Sequence, residues 1–373
     1  MLELISPLNI LLLNTQLGPL SQREFARASF YRDKANCETQ TILLNYASTE
    51  WPGIFQLLSA SRRTCELLRR RTRWDICLVD SHFGALPALA LRITGRTRVL
   101  AYDDIDFRAS FARSRIGRIA TRWLERFIVS QADIISSVSR VLLEVRRSQT
   151  RKPIILLPNG IDYSSYEASR TLRTPSSQIR TLIYFGYVAR NRGVFDPLSL
   201  LRDDDSLRYV VFGTGPDIKE LTQIIARENL SKVQVLGLVP QSRIPEALCQ
   251  GDIALALYHR DSHAPWASPL KIIEALAAGL PVITRSYVPM ADELVEHRCG
   301  LIADNINELA SAISRLRDPG VYFKASKAAV SYAKNFDWNR IFGVEFERWK
   351  SLLHGNGVES ATKKPTGIST SRV

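Results

Sequence analysis

Short runs of Leu, Ile and Val alternate along this chain with longer stretches whose apolar residues recur every three or four positions. The first kind reads as buried strands, the second as amphipathic helices. Strands are expected near 8–14, 39–44, 75–80, 97–102, 134–138 and 154–157 in the first half. In the second half they are expected near 181–185, 208–212, 232–236, 252–257, 281–284 and 300–302. Strand and helix in alternation predict an α/β chain of parallel sheets with crossover helices. At 373 residues the chain exceeds the usual size of one core, so two domains follow. The polar stretch YSSYEASRTLRTPSSQIR is the expected link between them. The division is therefore a first domain at 1–165, a linker at 166–180 and a second domain at 181–337. A closing helix follows at 338–353, and the polar tail 354–373 is expected to be disordered.

Within the second domain, SPLKIIEALAAGLPVIT concentrates chemistry in one βα unit. Ser268 reads as the N-cap and Pro269 as the first position of a helix from Leu270 to Ala278. Such an entry leaves backbone N–H groups free for a diphosphate, and Lys271 adds positive charge beside them. Glu274, one turn further on, can accept hydrogen bonds from two ribose hydroxyls. Gly279 ends the helix and Pro281 opens the next short strand. Upstream, Gly213 and Gly215 in FGTGP permit a tight turn after a strand.

Composition narrows the setting. Five cysteines, at 37, 65, 77, 249 and 299, lack paired spacing and adjacent histidines, which argues for a reducing compartment and against structural zinc. The apolar run ISPLNILLL has no basic leader or cleavage site and reads as a strand, not a signal peptide. Net charge is +13, and residues 1–170 hold nine of those charges. Arg115, Arg118, Arg122 and Arg126 form one stripe on a helix, bordered by Ile116, Ile119, Trp123 and Phe127. Two readings stand: the helix lies on an anionic membrane surface, or its apolar side packs on the sheet and the arginines only solvate it. The basic balance alone does not make a nucleic-acid module, because aromatic platforms and recognition motifs are missing.

These motifs resemble those of the retaining GT-B glycosyltransferases of family 4, also called group 1. The resemblance implies two Rossmann-like parallel-sheet domains facing a cleft, with the closing helix crossing back onto the first domain. SPLKIIEALAAGLPVIT is similar to the donor signature E-x7-E, with Glu274 as the second Glu, on the donor ribose; Trp266 stands where the first, sugar-facing Glu is usual, with Asp261 nearby. TLIYFGYVARNRG resembles G-R-x5-K-G: Gly186 and Gly193 match, Arg192 stands at the Lys position and Tyr187 at the Arg. VLGLVP is similar to the base-reading loop, which implies Leu238 and Val239 as base contacts, and LPNGID resembles the turn into the linker.

The donor-site residues so implied are Gly18, Arg192, Gly215, Leu238, Val239, Ser268, Leu270, Lys271 and Glu274. Strand ends of the first domain supply the catalytic candidates Asp103, Asp104 and His82. A carboxylate there would orient the acceptor hydroxyl or steady charge at the anomeric carbon; as a plain alternative, aspartates after a strand are helix caps. No metal or other cofactor is expected, since helix amides and cations take that place in the family. The implied activity is sugar transfer from a nucleotide-diphosphate sugar to a hydroxyl, with retention, on a lipid-linked or polysaccharide-precursor acceptor. The setting is cytoplasmic or peripheral on the cytoplasmic membrane face. A nucleotide-sugar epimerase on the same fold and a degenerate, non-catalytic glycan-binding paralogue remain open at this point.

Overall fold

The computed structural model describes residues 7–14, 21–43, 54–70, 72–80, 84–107, 114–172, 179–260, 266 and 268–354. Strands β1 (Asn9–Asn14), β2 (Glu38–Leu43), β3 (Trp74–Val79), β4 (Thr97–Asp104), β5 (Ile134–Ser137) and β6 (Ile154–Leu156) form a parallel sheet in the order β2-β1-β3-β4-β5-β6. Strands β7 (Thr181–Phe185), β8 (Arg208–Phe212), β9 (Val233–Gly237), β10 (Ile253–Ala256), β11 (Val282–Thr284) and β12 (Gly300–Ile302) form a second, in the order β12-β11-β10-β7-β8-β9. Chain direction across the sheet reverses between β1 and β3 and between β7 and β10. Such switch points open a crevice at the carboxyl ends of the strands.

The strands are legible because both of their faces are covered. Leu11, Leu13, Cys77, Val79, Leu100 and Tyr102 pack on one side of the first sheet, and Ile10, Leu12, Ile76, Leu78, Val99 and Ala101 on the other. Continuous apolar runs are the signature of parallel strands buried on both faces.

The stretch expected as linker begins with ordered structure. A 3₁₀ turn Tyr163–Tyr166 leads into a helix Glu167–Leu172, and Tyr166 joins the second-domain core. Arg170 there donates to the Ala277 carbonyl at 3.1 Å. Polar composition concealed a helix that is covered on only one side. The closing helix Trp338–Leu353 starts in the second-domain core with Trp338, Ile341 and Phe342, and ends with Trp349 in the first-domain core. The two crossings of the chain between domains are bonded to each other: Ile161 N–H donates to Phe336 O at 2.9 Å and Trp338 N–H to Ile161 O at 3.0 Å. A Cβ at Gly160 would lie 2.7 Å from Ile341, Trp338 and the Phe336 carbonyl, so no side chain fits there.

The helix Arg115–Gln131 decides between its two readings. It docks through Glu125, Ile128 and Val129. Ile116 (81% exposed), Ile119, Trp123 (68%) and Phe127 point away from the sheet, beside the exposed Arg115, Arg118, Arg122 and Arg126. The apolar ridge is therefore a surface feature and not the packed side. No helix among the described residues is long and apolar enough to cross a membrane.

Candidate active site

The helix Leu270–Ala277 runs from the carboxyl edge of the second sheet and buries Ile272, Ile273, Glu274, Ala275, Leu276 and Ala277. Pro269, with φ −74° and ψ 94°, occupies the N-cap position, and no side chain caps the helix. This corrects the expectation for Ser268. Its hydroxyl accepts from the Asn159 backbone N–H at 3.1 Å and its carbonyl from Asn159 Nδ2 at 2.9 Å, so its polar groups are engaged across the domain boundary. The Ile272 N–H bonds to Pro269 O at 2.9 Å, while no side chain caps the first turn, which leaves the amides of Leu270 and Lys271 suited to an anion. At the other end Gly279 adopts φ +78°, and its N–H bonds to Leu276 O at 3.0 Å, the left-handed stop expected of glycine.

Lys271 projects from that first turn into a cage of rings. Its ammonium lies 4.2 Å from the Tyr184 ring centroid and 4.8 Å from that of Tyr258, and the Arg192 guanidinium lies 5.4 Å from the latter. Aromatic faces hold a cation without neutralising it. Burial, then the neighbouring Arg192, push Lys271 down to about 7, against a weaker upward pull from Glu274. Gly186, at φ +120°, passes beside it: an added Cβ would sit 3.5 Å from Nζ. The glycines of the β8 turn serve this loop directly. A Cβ at Gly213 would lie 1.8 Å from Gly186 O, and one at Gly215 2.1 Å from Val188 O. Gly215 thus permits contact between two backbone loops that frame the site.

Glu274 is buried, with Gln241 Nε2 donating to it at 2.7 Å. Burial raises it to about 7, although Gln241, the Tyr166 hydroxyl and Lys271 all favour its charge. A cleft of about 650 Å³ opens from Glu274 and Gln241 past Tyr166 to Phe25 and Phe30 of the first domain. Leu238 is 76% exposed, while Val239 packs partly on the core. Leu270, Lys271, Glu274 and Arg192 therefore share one carboxyl-edge site, with Leu238 and Val239 on the loop after β9 and Ser268 and Gly215 supporting it.

Residues 180–318 match the family model described as Glycosyl transferases group 1. The chain is 26% identical over 209 residues to the GDP-mannose:cellobiosyl-diphosphopolyprenol alpha-mannosyltransferase of Xanthomonas campestris, covering 53% of each. It is 24% identical over 317 residues to the phosphatidylinositol N-acetylglucosaminyltransferase GPI3 subunit of Saccharomyces cerevisiae, covering 79% of this chain and 66% of that one. Its alignments thus span about half to two thirds of these relatives' own lengths. The fold is similar to Anabaena Alr3699/HepE in complex with UDP, with TM-score 0.70 at 17% identity over 92% of this chain and 100% of the other. It is likewise similar to sucrose-phosphate synthase from Thermosynechococcus elongatus, with TM-score 0.70 at 14% identity over 93% and 100%. Residues 180–318 thus resemble the group 1 glycosyltransferases.

The strand-end aspartates of the first domain are not open to the cleft. Asp103 accepts from Arg23 at 2.9 and 3.0 Å and from Arg27 at 2.5 Å; it is 1% exposed. Burial would raise its pKa, but the two guanidiniums outweigh that and hold it well below the carboxylate range. Arg27 also pairs with Glu345 of the closing helix at 3.0 Å, and Glu345 accepts from Tyr31 and Ser136. Asp104, fully buried, receives Arg146 at 2.7 and 3.0 Å. Both carboxylates are thus committed to ion pairs inside the first domain, which corrects the expectation that they face substrate. His82, Gly18 and Asp261 lie outside the described residues.

Sequence reasoning missed the supporting shell. Tyr184 and Tyr258 sit at the ends of β7 and β10, where an aromatic among aliphatics is the visible signal. Trp266, at the sugar-facing Glu position, packs tilted against Phe107 with ring centroids 4.6 Å apart, and its carbonyl accepts from Ser139 Oγ at 3.0 Å. That position is a contact between the two domains of the chain, which no single-domain motif announces.

Proposed function

We propose that this enzyme moves a sugar from a nucleotide-diphosphate sugar to a hydroxyl of a lipid-linked acceptor at an anionic membrane surface, with retention of configuration and without a metal. The observation that carries the donor half is the caged Lys271 beside Arg192 at an uncapped helix entry. As the glycosidic bond breaks, negative charge grows on the departing diphosphate; Lys271, Arg192 and the first-turn amides are placed to stabilise it. Bond breaking precedes attack by the acceptor hydroxyl on the same face. Glu274 takes the ribose hydroxyls, and Leu238 and Val239 border the base. Arg192 and Lys271 supply the charge that a divalent cation would otherwise bring.

The acceptor half rests on the helix Arg115–Gln131, whose exposed Ile116, Ile119, Trp123 and Phe127 would enter the lipid interface while four arginines meet anionic headgroups. Two relatives, by name, act on a diphosphopolyprenol and a phosphatidylinositol, which supports a lipid-linked acceptor. The test is a panel of UDP, GDP and ADP sugars, scored by thermal stabilisation and donor hydrolysis, with and without EDTA. One nucleotide should raise the melting point and be turned over in EDTA. Silence from every nucleotide overturns the donor reading, and activity restored only by magnesium or manganese overturns the metal-free one.

A further inference from the structure

Beside the Trp266 contacts with Phe107 and Ser139, Asn159 bonds the entry of the donor helix to the first domain. Its backbone N–H donates to Ser268 Oγ at 3.1 Å and its Nδ2 to Ser268 O at 2.9 Å, joining segments 109 residues apart. Asn159 is itself fixed from behind. Arg23, paired with Asp103, donates to Pro158 O at 2.8 Å and to Leu157 O at 3.0 Å. On the far side Gly160 is pressed against Ile341 and Trp338, and Ile161 bonds to Phe336 and Trp338. The turn is thus held by the buried Arg23–Asp103 pair and by the second crossing of the chain. Only Pro269 separates Ser268 from the start of the helix, and proline's restricted φ passes a displacement of Ser268 on to the first turn. Lys271 moves with it.

We propose that Asn159 is a positioning residue that sets the entry of the donor helix, and with it Lys271, relative to the first domain, so that diphosphate affinity depends on how the two domains sit. The proposal rests on the reading that a nucleoside diphosphate binds at this helix. It also assigns Asp103 a part: through Arg23 it orders the carbonyls next to Asn159.

The experiment compares Asn159→Ala, Ser268→Ala, Ser268→Thr and the double alanine variant in the full chain. Amide exchange of residues 268–274 is read in ligand-free protein, and affinity for UDP and GDP by calorimetry. Asn159→Ala should speed exchange there and weaken binding of the preferred diphosphate about tenfold, the upper end of what one hydrogen bond contributes. Its melting point should stay within about 2 °C of wild type. Ser268→Thr, which keeps the hydroxyl acceptor, should restore affinity. The double variant should be worse than either single, since Asn159→Ala removes the Nδ2 bond and Ser268→Ala the bond to the hydroxyl. Unchanged exchange of residues 268–274 in both single variants would overturn the latch. Should Asn159→Ala fail to fold, Ser268→Ala carries the same test with one bond removed. Wild-type protein that binds neither diphosphate sinks the donor reading instead, while the exchange result still judges the latch.

Discussion

The two domains bury charge in opposite ways. In the first, Asp103, Arg23, Arg27 and Glu345 satisfy one another, and Asp104 is closed by Arg146. In the second, Lys271 faces two tyrosine rings and an arginine, while buried Glu274 has Gln241 and the Tyr166 hydroxyl as neutral partners. The first arrangement is complete without ligand; its role is to fasten the closing helix and the turn at Asn159 to the sheet. The second leaves a cation and a carboxyl both displaced to about 7, and a diphosphate and a ribose would complete them. Buried charge closed by direct ion pairs marks scaffold, and buried charge whose opposite partner pulls only weakly marks a site.

The sharpest way to break that contrast is to remove one member of each set. Arg27→Met leaves Asp103 and Glu345 without a shared partner and should cost about 3–5 kcal/mol, read as a drop in the denaturation midpoint. Lys271→Ala should leave the midpoint near wild type but reduce sugar transfer at least tenfold, about 1.4 kcal/mol or more of transition-state stabilisation; Glu274→Gln should do the same. A stable Arg27→Met protein, or a Lys271→Ala protein with wild-type kinetics, would merge the two classes.

A pH titration separates them more finely. Diphosphate binds best when Lys271 is protonated. Its empty-site value of about 7 lies below that of a free lysine, so affinity should fall as pH rises above 7. Ribose hydroxyls donate to an ionised Glu274, whose empty-site value of about 7 lies above that of a free glutamate, so affinity should also fall as pH drops below 7. The profile of nucleotide affinity is then a bell near neutrality. Lys271→Ala should flatten its alkaline limb and Glu274→Gln its acid limb; a profile flat from pH 5.5 to 8.5 in wild type would contradict both assignments.

What the sequence disclosed follows the same division. All twelve strands fall within two residues of where the sequence pattern put them; the central ones are buried on both faces, as continuous apolar runs require, while the edge strands β2, β6 and β9 are only partly buried. The donor helix was legible as well, since Lys271, Glu274 and Gly279 lie within nine residues. Asp103 and Asp104 were misread because a carboxylate after a strand looks alike whether it meets substrate or an arginine far away in sequence: Arg23 is 80 residues distant. Ser268 looked like a cap until Asn159, 109 residues upstream, took its hydroxyl. Motifs report local spacing, and these partners are not local.

The smallest expected effect concerns charge that is not buried at all. On the helix Arg115–Gln131 the arginines are exposed beside an exposed apolar ridge, so each acts on a lipid surface nearly independently. Near the lipid one arginine is worth about 1 kcal/mol, roughly fivefold in partitioning, and the interaction is screened over about 8 Å at physiological salt. Arg126→Gln should therefore lower sedimentation with phosphatidylserine vesicles about fivefold at low salt, and replacing Arg115, Arg118, Arg122 and Arg126 together should abolish it. Transfer to a soluble acceptor analogue should persist in Arg126→Gln, because Arg126 is exposed and touches none of the donor-site residues in the described contacts, whereas Arg122 also lies over Phe107. Trp123→Ser should weaken binding in a way that added salt does not reproduce, since its share comes from apolar burial. If wild-type protein ignores anionic vesicles at low salt, the ridge has another partner and the acceptor need not be lipid-linked.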